Sequence, residues 1–254
     1  MKTLKLWTFI LTLFICGSSL SLVSCSIENE PVAPNASMNN QSEFTNQIVQ
    51  RKTGLYPENA ANDYDAVGQL YDAISEQYLV SGLISTSTAG TIQQVEGIAN
   101  LSSEYQSIVP GTYTSPSATR IDYIVSNQQL STADIIANSG MSAKAKSSLT
   151  AFLNTLMDYK SQGKGITEMY PFIVNYESNV IADSVLTATD RKVILSTTSI
   201  SRYAFSFAGK HRRKPRDRDW DISWGNIVAG TEGSVDNSAK AIIMTAVAGI
   251  IANK

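Results

Sequence analysis

Few side chains in these 254 residues are equipped for covalent or acid–base chemistry. His211 is the only histidine, so a histidine-rich zinc site is excluded and any triad has one base to draw on. It stands in a run of cations, where a solvated loop position is expected. No Gly-rich phosphate loop follows a strand-like run, and no Gly-x-Ser-x-Gly elbow occurs. Asp and Glu are scattered over many segments, so a carboxylate pair for glycoside hydrolysis has no marker in the sequence. Asp63, Asp65 and Gly68 are spaced like the opening of a calcium loop, but Val67 and Ile74 occupy positions that would have to ligate. Helix capping is the expected role of these acids. The reading therefore contains no catalytic residue, no metal and no cofactor.

The sharpest charged feature is Lys210-His211-Arg212-Arg213-Lys214-Pro215-Arg216-Asp217-Arg218-Asp219-Trp220-Asp221, followed by Trp224. Six cations in nine residues, with two tryptophans behind them, could meet anionic lipid headgroups, a polysaccharide or an acidic partner. Lys210, Arg212, Arg213, Lys214, Arg216, Arg218, Trp220 and Trp224 form that candidate surface. The competing reading is an exposed loop whose arginines pair with Asp217, Asp219 and Asp221 while both tryptophans enter the core.

At the N-terminus, Lys2 and Lys5 precede an apolar stretch of about ten residues, which Gly17-Ser18-Ser19 interrupts well short of the roughly 20 that a spanning helix needs. That is the profile of a secretory signal peptide over residues 1–24. Leu22-Val23-Ser24-Cys25 resembles the lipobox cut by the bacterial lipoprotein signal peptidase. The resemblance implies cleavage between Ser24 and Cys25, and lipidation of the Cys25 thiol by a diacylglycerol thioether, with further acyl chains for stable anchoring. Cys16 is the rival, but Leu13-Phe14-Ile15 before it is too bulky. Ser26, where Asp would signal inner-membrane retention, implies the outer membrane by the same resemblance. Glu28 and Glu30 are weakly similar to a surface-export signal of Bacteroidetes lipoproteins.

Removing residues 1–24 takes two lysines from 20 cations and leaves 22 acids, a net charge of −4. A nucleic-acid partner would want a strongly basic domain and is not expected. Cys25 would then be the only cysteine, leaving no intramolecular disulfide. Residues 26–61 are rich in Asn, Ser, Glu, Gln and Pro and read as a flexible tether. Its 36 residues give a coil reach of about 33 Å. Ser161-Gln162-Gly163-Lys164 and Lys52-Thr53-Gly54 spell pieces of the penicillin-binding set, but in reverse order, one in a glycine turn and the other in the tether.

Residues 62–254 read as a single helical domain, an all-α bundle of about six to eight helices. The expected helices are one capped within Asn62-Asp63-Tyr64-Asp65, with a stripe of Val67, Leu70, Tyr71, Ile74, Tyr78 and Leu79; 88–108, with Leu101 among its inward residues; a short one at 132–138; 142–159; 166–186, bent at Pro171; 189–207; and one or two within 222–252. Residues 112–130 read as loop. In the last segment Gly225, Ala229, Gly233, Asn237, Ala241, Thr245 and Gly249 place compact residues at every fourth position, of which three or four can pack together because such a row drifts around a helix. The final apolar run, 241–252, is too short to span a bilayer and reads as a buried core helix.

Three pieces together, Asn62-Asp63-Tyr64-Asp65-Ala66-Val67-Gly68-Gln69-Leu70, Ser199-Ile200-Ser201-Arg202-Tyr203 and the small-residue segment after Trp220, resemble a family of uncharacterised Bacteroidetes lipoproteins. The family motif has Pro at the position of Asp63 and His-Asn where this chain has Tyr71-Asp72, so no His-based site is implied. The expected role is a lipid-anchored envelope protein acting as a non-enzymatic binding module at the outer membrane. The alternatives are a hydrolase of envelope or external polymers working through Asp and Glu, and a membrane-perturbing protein that uses its C-terminal helix.

Overall fold

The computed structural model describes residues 57–83, 85–211 and 224–253, and these fold as an all-α bundle. Ten helices are present among the described residues: α1 (Asp65–Val80), α2 (Thr88–Ala99), α3 (Ser103–Ile108), α4 (Ala118–Ser126), α5 (Gln128–Asn138), α6 (Ala143–Ser161), α7 (Ile166–Ala182), α8 (Ala188–Lys210), α9 (Trp224–Asp236) and α10 (Ser238–Ala252). The bundle is the expected architecture, with more and shorter pieces. Residues 1–56, which include Ser24, Cys25 and most of the expected tether, lie outside the described residues.

Capping explains where the pieces divide. Ser102 leaves helical geometry and its hydroxyl accepts the Tyr105 amide at 3.1 Å, which starts α3 and splits the expected 88–108 helix. Leu101 at the break is exposed rather than inward, as is Leu79 at the end of α1. The stretch read as loop contains α4, opened by Ser117, whose hydroxyl accepts the Arg120 amide at 3.3 Å. Only Ile121 and Ile124 of this nine-residue helix are buried, too short a stripe to register as a helical period. Asn237 separates α9 from α10 and caps the latter, accepting the Lys240 amide at 2.8 Å. The four-residue row of small side chains is thus shared between two helices.

α8 is the axis of the bundle. Every residue from Val193 to Ala208 is buried, and α1, α7 and α9 pack along it. Several of its Ser and Thr hydroxyls find partners inside: Ser201 donates to the Thr197 carbonyl at 2.8 Å, and Thr197 to Thr231 of α9 at 3.3 Å. Ser199 bridges to α1, donating to the Asp65 carbonyl at 2.9 Å and accepting the Gly68 amide at 3.1 Å. Gly68 is required by that approach, since a Cβ there would lie 2.5 Å from Ser199 Oγ and from Tyr203 Cδ2. α10, buried from Ala241 to Ile250, packs against α9, α1 and α2. Among the described residues no helix is long and apolar enough to cross a membrane.

The start of α8 is locked to the start of α6 through Asp190. Its carboxylate accepts the Ser142 amide at 2.8 Å, the Ser142 hydroxyl at 2.9 Å and the Thr187 amide at 2.9 Å, while Thr187 Oγ1 accepts the Asp190 amide at 3.1 Å. Burial pushes this carboxyl up, but the Ser142 and Thr187 amides outweigh it and hold it below the usual range. A depressed folded-state value contributes stability above the ordinary carboxylate range, and this is lost as pH falls through the folded value. Asp190→Asn should therefore cost about 1–2 kcal/mol at neutral pH, and the gap from the parent chain should close progressively under acid. Urea unfolding at a series of pH values checks this; a gap independent of pH would contradict the assignment.

Candidate functional site

Two arrangements of polar side chains stand out, one closed and one open. The closed one surrounds Arg202, which is fully buried on α8. Its Nε lies 3.2 Å from Glu177 of α7, and its Nη2 pairs with Asp65 at the start of α1. Glu177, also fully buried, accepts Asn59 Nδ2, Asn62 Nδ2 and Thr198 Oγ1, each at 2.7 Å. Tyr203 donates to Asp65 Oδ2 at 3.2 Å. Burial lifts the Asp65 carboxyl above its ordinary value against the lowering pull of Arg202, and burial with the nearby Asp65 charge raises Tyr203 further from ionisation. Asp65 is therefore not a helix cap, as expected from sequence, but half of an interior ion pair. Both Glu177 oxygens are engaged by donors from residues 59–62 and from α8, which suits a clasp. The first two segments quoted for the family resemblance meet here, Asn62, Asp65 and Gly68 against Ser199, Arg202 and Tyr203.

The open arrangement is a cleft of about 390 Å³ where α4, α5, α9 and α10 come together. α4 supplies Arg120; α5 supplies Asp134, Ile135 and Asn138; α9 supplies Glu232, Val235 and Asp236; α10 supplies Lys240 and Met244. The floor is apolar, with Ile135 and Met244 buried, and the walls are charged. Arg120 Nε is forked onto Glu232 at 3.0 and 2.8 Å, its Nη2 lies 2.7 Å from the same carboxylate, and it also reaches Asp134 at 3.3 Å. The guanidinium carbon sits 5.4 Å from the Tyr123 ring centre, one turn along α4. Asn138 donates to Asp134 Oδ1 at 2.7 Å, and Lys240 to Asp236 Oδ2 at 2.8 Å. The Glu232 hydrogen bond raises Arg120 further from deprotonation, and the Lys240 hydrogen bond holds the Asp236 carboxyl below its usual range. Each of the five charged side chains thus has an oppositely charged partner within the cleft.

The residues singled out in the sequence do not gather here. Lys210 of the candidate surface pairs with Asp72 of α1, 3.0 Å from both carboxylate oxygens. Trp224 is a correction to that surface: it is buried at the start of α9, its indole N–H donating to Thr132 Oγ1 at 3.3 Å, so it belongs to the core. Arg212, Arg213, Lys214, Arg216, Arg218 and Trp220 lie outside the described residues, as do Ser24 and Cys25. His211 is not a solvated loop residue. It ends α8, with its ring 4.3 Å from Phe207 and Nε2 3.0 Å from Glu76 Oε1. Among the described residues no group of three or more His, Cys, Asp or Glu could hold a metal ion. Comparison with family models, with curated proteins and with solved structures finds no match for this chain.

The cleft residues were hidden for identifiable reasons. Arg120 belongs to the stretch read as loop, and Asp236 and Lys240 are separated by the helix break at Asn237. Glu232 carried the one usable signal, an acid within the mostly small and apolar run of α9, with Asp236 four positions on.

Proposed function

We propose that this chain is a lipid-anchored envelope protein of the outer membrane, held through Cys25, and that it works as a non-enzymatic binding module with the charged cleft as its ligand site. The observation that carries the reading is the cleft itself: a concavity within the roughly 300–1,000 Å³ span of small-molecule sites, with an apolar floor and polar groups prearranged around it. Support for the anchor comes from the lipobox-like Leu22-Val23-Ser24-Cys25 and from Ser26; residues 26–56 would hold the domain clear of the headgroups, a tether shorter than the expected 26–61 because Glu58 and Asn59 are hydrogen-bonded to Tyr170 and Glu177 of the bundle. The membrane-perturbing alternative draws on α10, yet that helix packs against α9, α1, α2 and α4 among others, and inserting it would dismantle the core.

Cys25→Ser is expected to yield an uncleaved, unlabelled precursor when cells are fed labelled palmitate, while the parent chain fractionates with outer membranes. Normal processing and labelling of the variant would overturn the anchor. Turnover of any substrate in a panel of glycans, peptides and esters would overturn the non-enzymatic half of the reading.

A further inference from the structure

Resting on the reading of the cleft as a ligand site, we infer that its ligand is a neutral polyhydroxylated molecule, a saccharide unit with neighbouring hydroxyls. The charge pattern decides between ligand classes. Three carboxylates and two cations line the cleft, and each is already engaged: Arg120 serves both Glu232 and Asp134, and Lys240 serves Asp236. An anion would compete with these carboxylates for the two cations, and a cation would compete with Arg120 and Lys240 for the acids. Either must loosen an existing pair, and the one least open to solvent, Arg120 with Glu232, is held by three contacts of 2.7–3.0 Å.

A hydroxyl makes no such demand. It donates one hydrogen bond and accepts two, so it can add to a carboxylate on one side and to a guanidinium, ammonium or amide N–H on the other while the pairs stay intact. The walls offer those groups side by side. Both Asn138 N–H groups are spent on Asp134, at its carbonyl (3.0 Å) and Oδ1 (2.7 Å), so that place offers a hydroxyl the acceptor Asn138 Oδ1, while at the α9–α10 corner the Lys240 ammonium stands as a donor beside the Asp236 acceptor. Below them Ile135, Val235 and Met244 present an apolar floor, a match for the C–H face of a pyranose ring.

The test uses the full chain in detergent, with backbone amide shifts followed by NMR while galactose, N-acetylglucosamine and maltose are titrated in parallel with putrescine and citrate. The expected result is saturable shifts confined to residues 118–139 and 232–244 with at least one saccharide, and none there with the charged probes. Affinity should change less than about twofold as salt is raised, since the ligand carries no charge to screen. Asn138→Ala and Asp236→Ala, both at exposed positions, should each weaken binding about tenfold, the loss of one well-formed hydrogen bond. Cleft shifts with putrescine or citrate and none with sugars would overturn the ligand class while leaving a binding site. Silence with every probe would remove both readings. Saccharide binding that both variants leave unchanged would place the sugar elsewhere and overturn the inference.

Discussion

Arg202→Met should lower the unfolding free energy by about 3–5 kcal/mol, a large share of the 5–15 kcal/mol typical of a domain. Methionine fills much of the same volume, so the loss would be electrostatic rather than a cavity. Glu177 would remain fully buried with only the neutral donors Asn59, Asn62 and Thr198, and Asp65 would lose its one cationic partner. The penalty comes from stranding two carboxylates, so removing one of them should help. Arg202→Met combined with Glu177→Leu is expected to recover part of the loss, because a buried ion pair replaced by apolar groups of similar volume is often nearly neutral. Arg202→Lys should fall between the parent and Arg202→Met: it keeps the charge but not the fork that reaches two acids at once. Urea unfolding followed by circular dichroism measures all three. A loss below about 1 kcal/mol for Arg202→Met, the size seen for exposed pairs, would mean the cluster does not hold the bundle together.

Gly233→Val carries the second large effect, and it should act on the cleft as well as on stability. A Cβ at this position would lie 2.5 Å from the Ala241 nitrogen and closer still to its Cα, so the obstacle is backbone and cannot rotate away. α9 and α10 would have to part, at a cost of about 3 kcal/mol, the upper end of overpacking effects. Because Glu232 and Asp236 flank Gly233 and Lys240 precedes Ala241, the same movement would separate the cleft's charged walls. The variant is therefore expected to lose ligand binding under conditions where circular dichroism still reports a folded helical protein. Gly97→Ala on α2 is the control. A Cβ there meets nothing within 4 Å, and replacing glycine by alanine inside a helix should raise stability by up to about 1 kcal/mol. Equal behaviour of the two variants would show that close approach at Gly233 does not set the helix spacing.

The helices that announced themselves were those with one apolar stripe and one polar face. α1 shows Val67, Leu70, Tyr71, Ile74 and Tyr78 at helical spacing, and α6 does the same with Leu149, Phe152, Leu153 and Leu156. α8 was legible as a helix but not as the centre. Its run of Ser, Thr and Arg reads as solvated, and its burial is offset largely by Asp65, Glu177 and neighbouring carbonyls. Asp65 and Glu177 lie 21 to 137 positions from the groups they receive, beyond any local pattern. Asp65 shows the same limit at the scale of one residue. An acid opening a helix suggests a cap, and only the tertiary structure reveals a guanidinium facing it. The cleft was less legible still, since it draws on four helices, one of them read as loop.

The fastening of residues 58–62 has a mechanical meaning. Tyr170 holds the Glu58 carbonyl at 2.7 Å, Asn59 and Asn62 grip Glu177, and Asn62 also donates to the Leu195 carbonyl at 3.0 Å. Tension arriving from the N-terminal side is thus delivered to α7 and α8 before it reaches the first turn of α1. If the N-terminal side is tied to a membrane as proposed above, that arrangement works as strain relief on a cable: drag on the domain loads a few side-chain hydrogen bonds at the entry point, and the helix behind them stays wound.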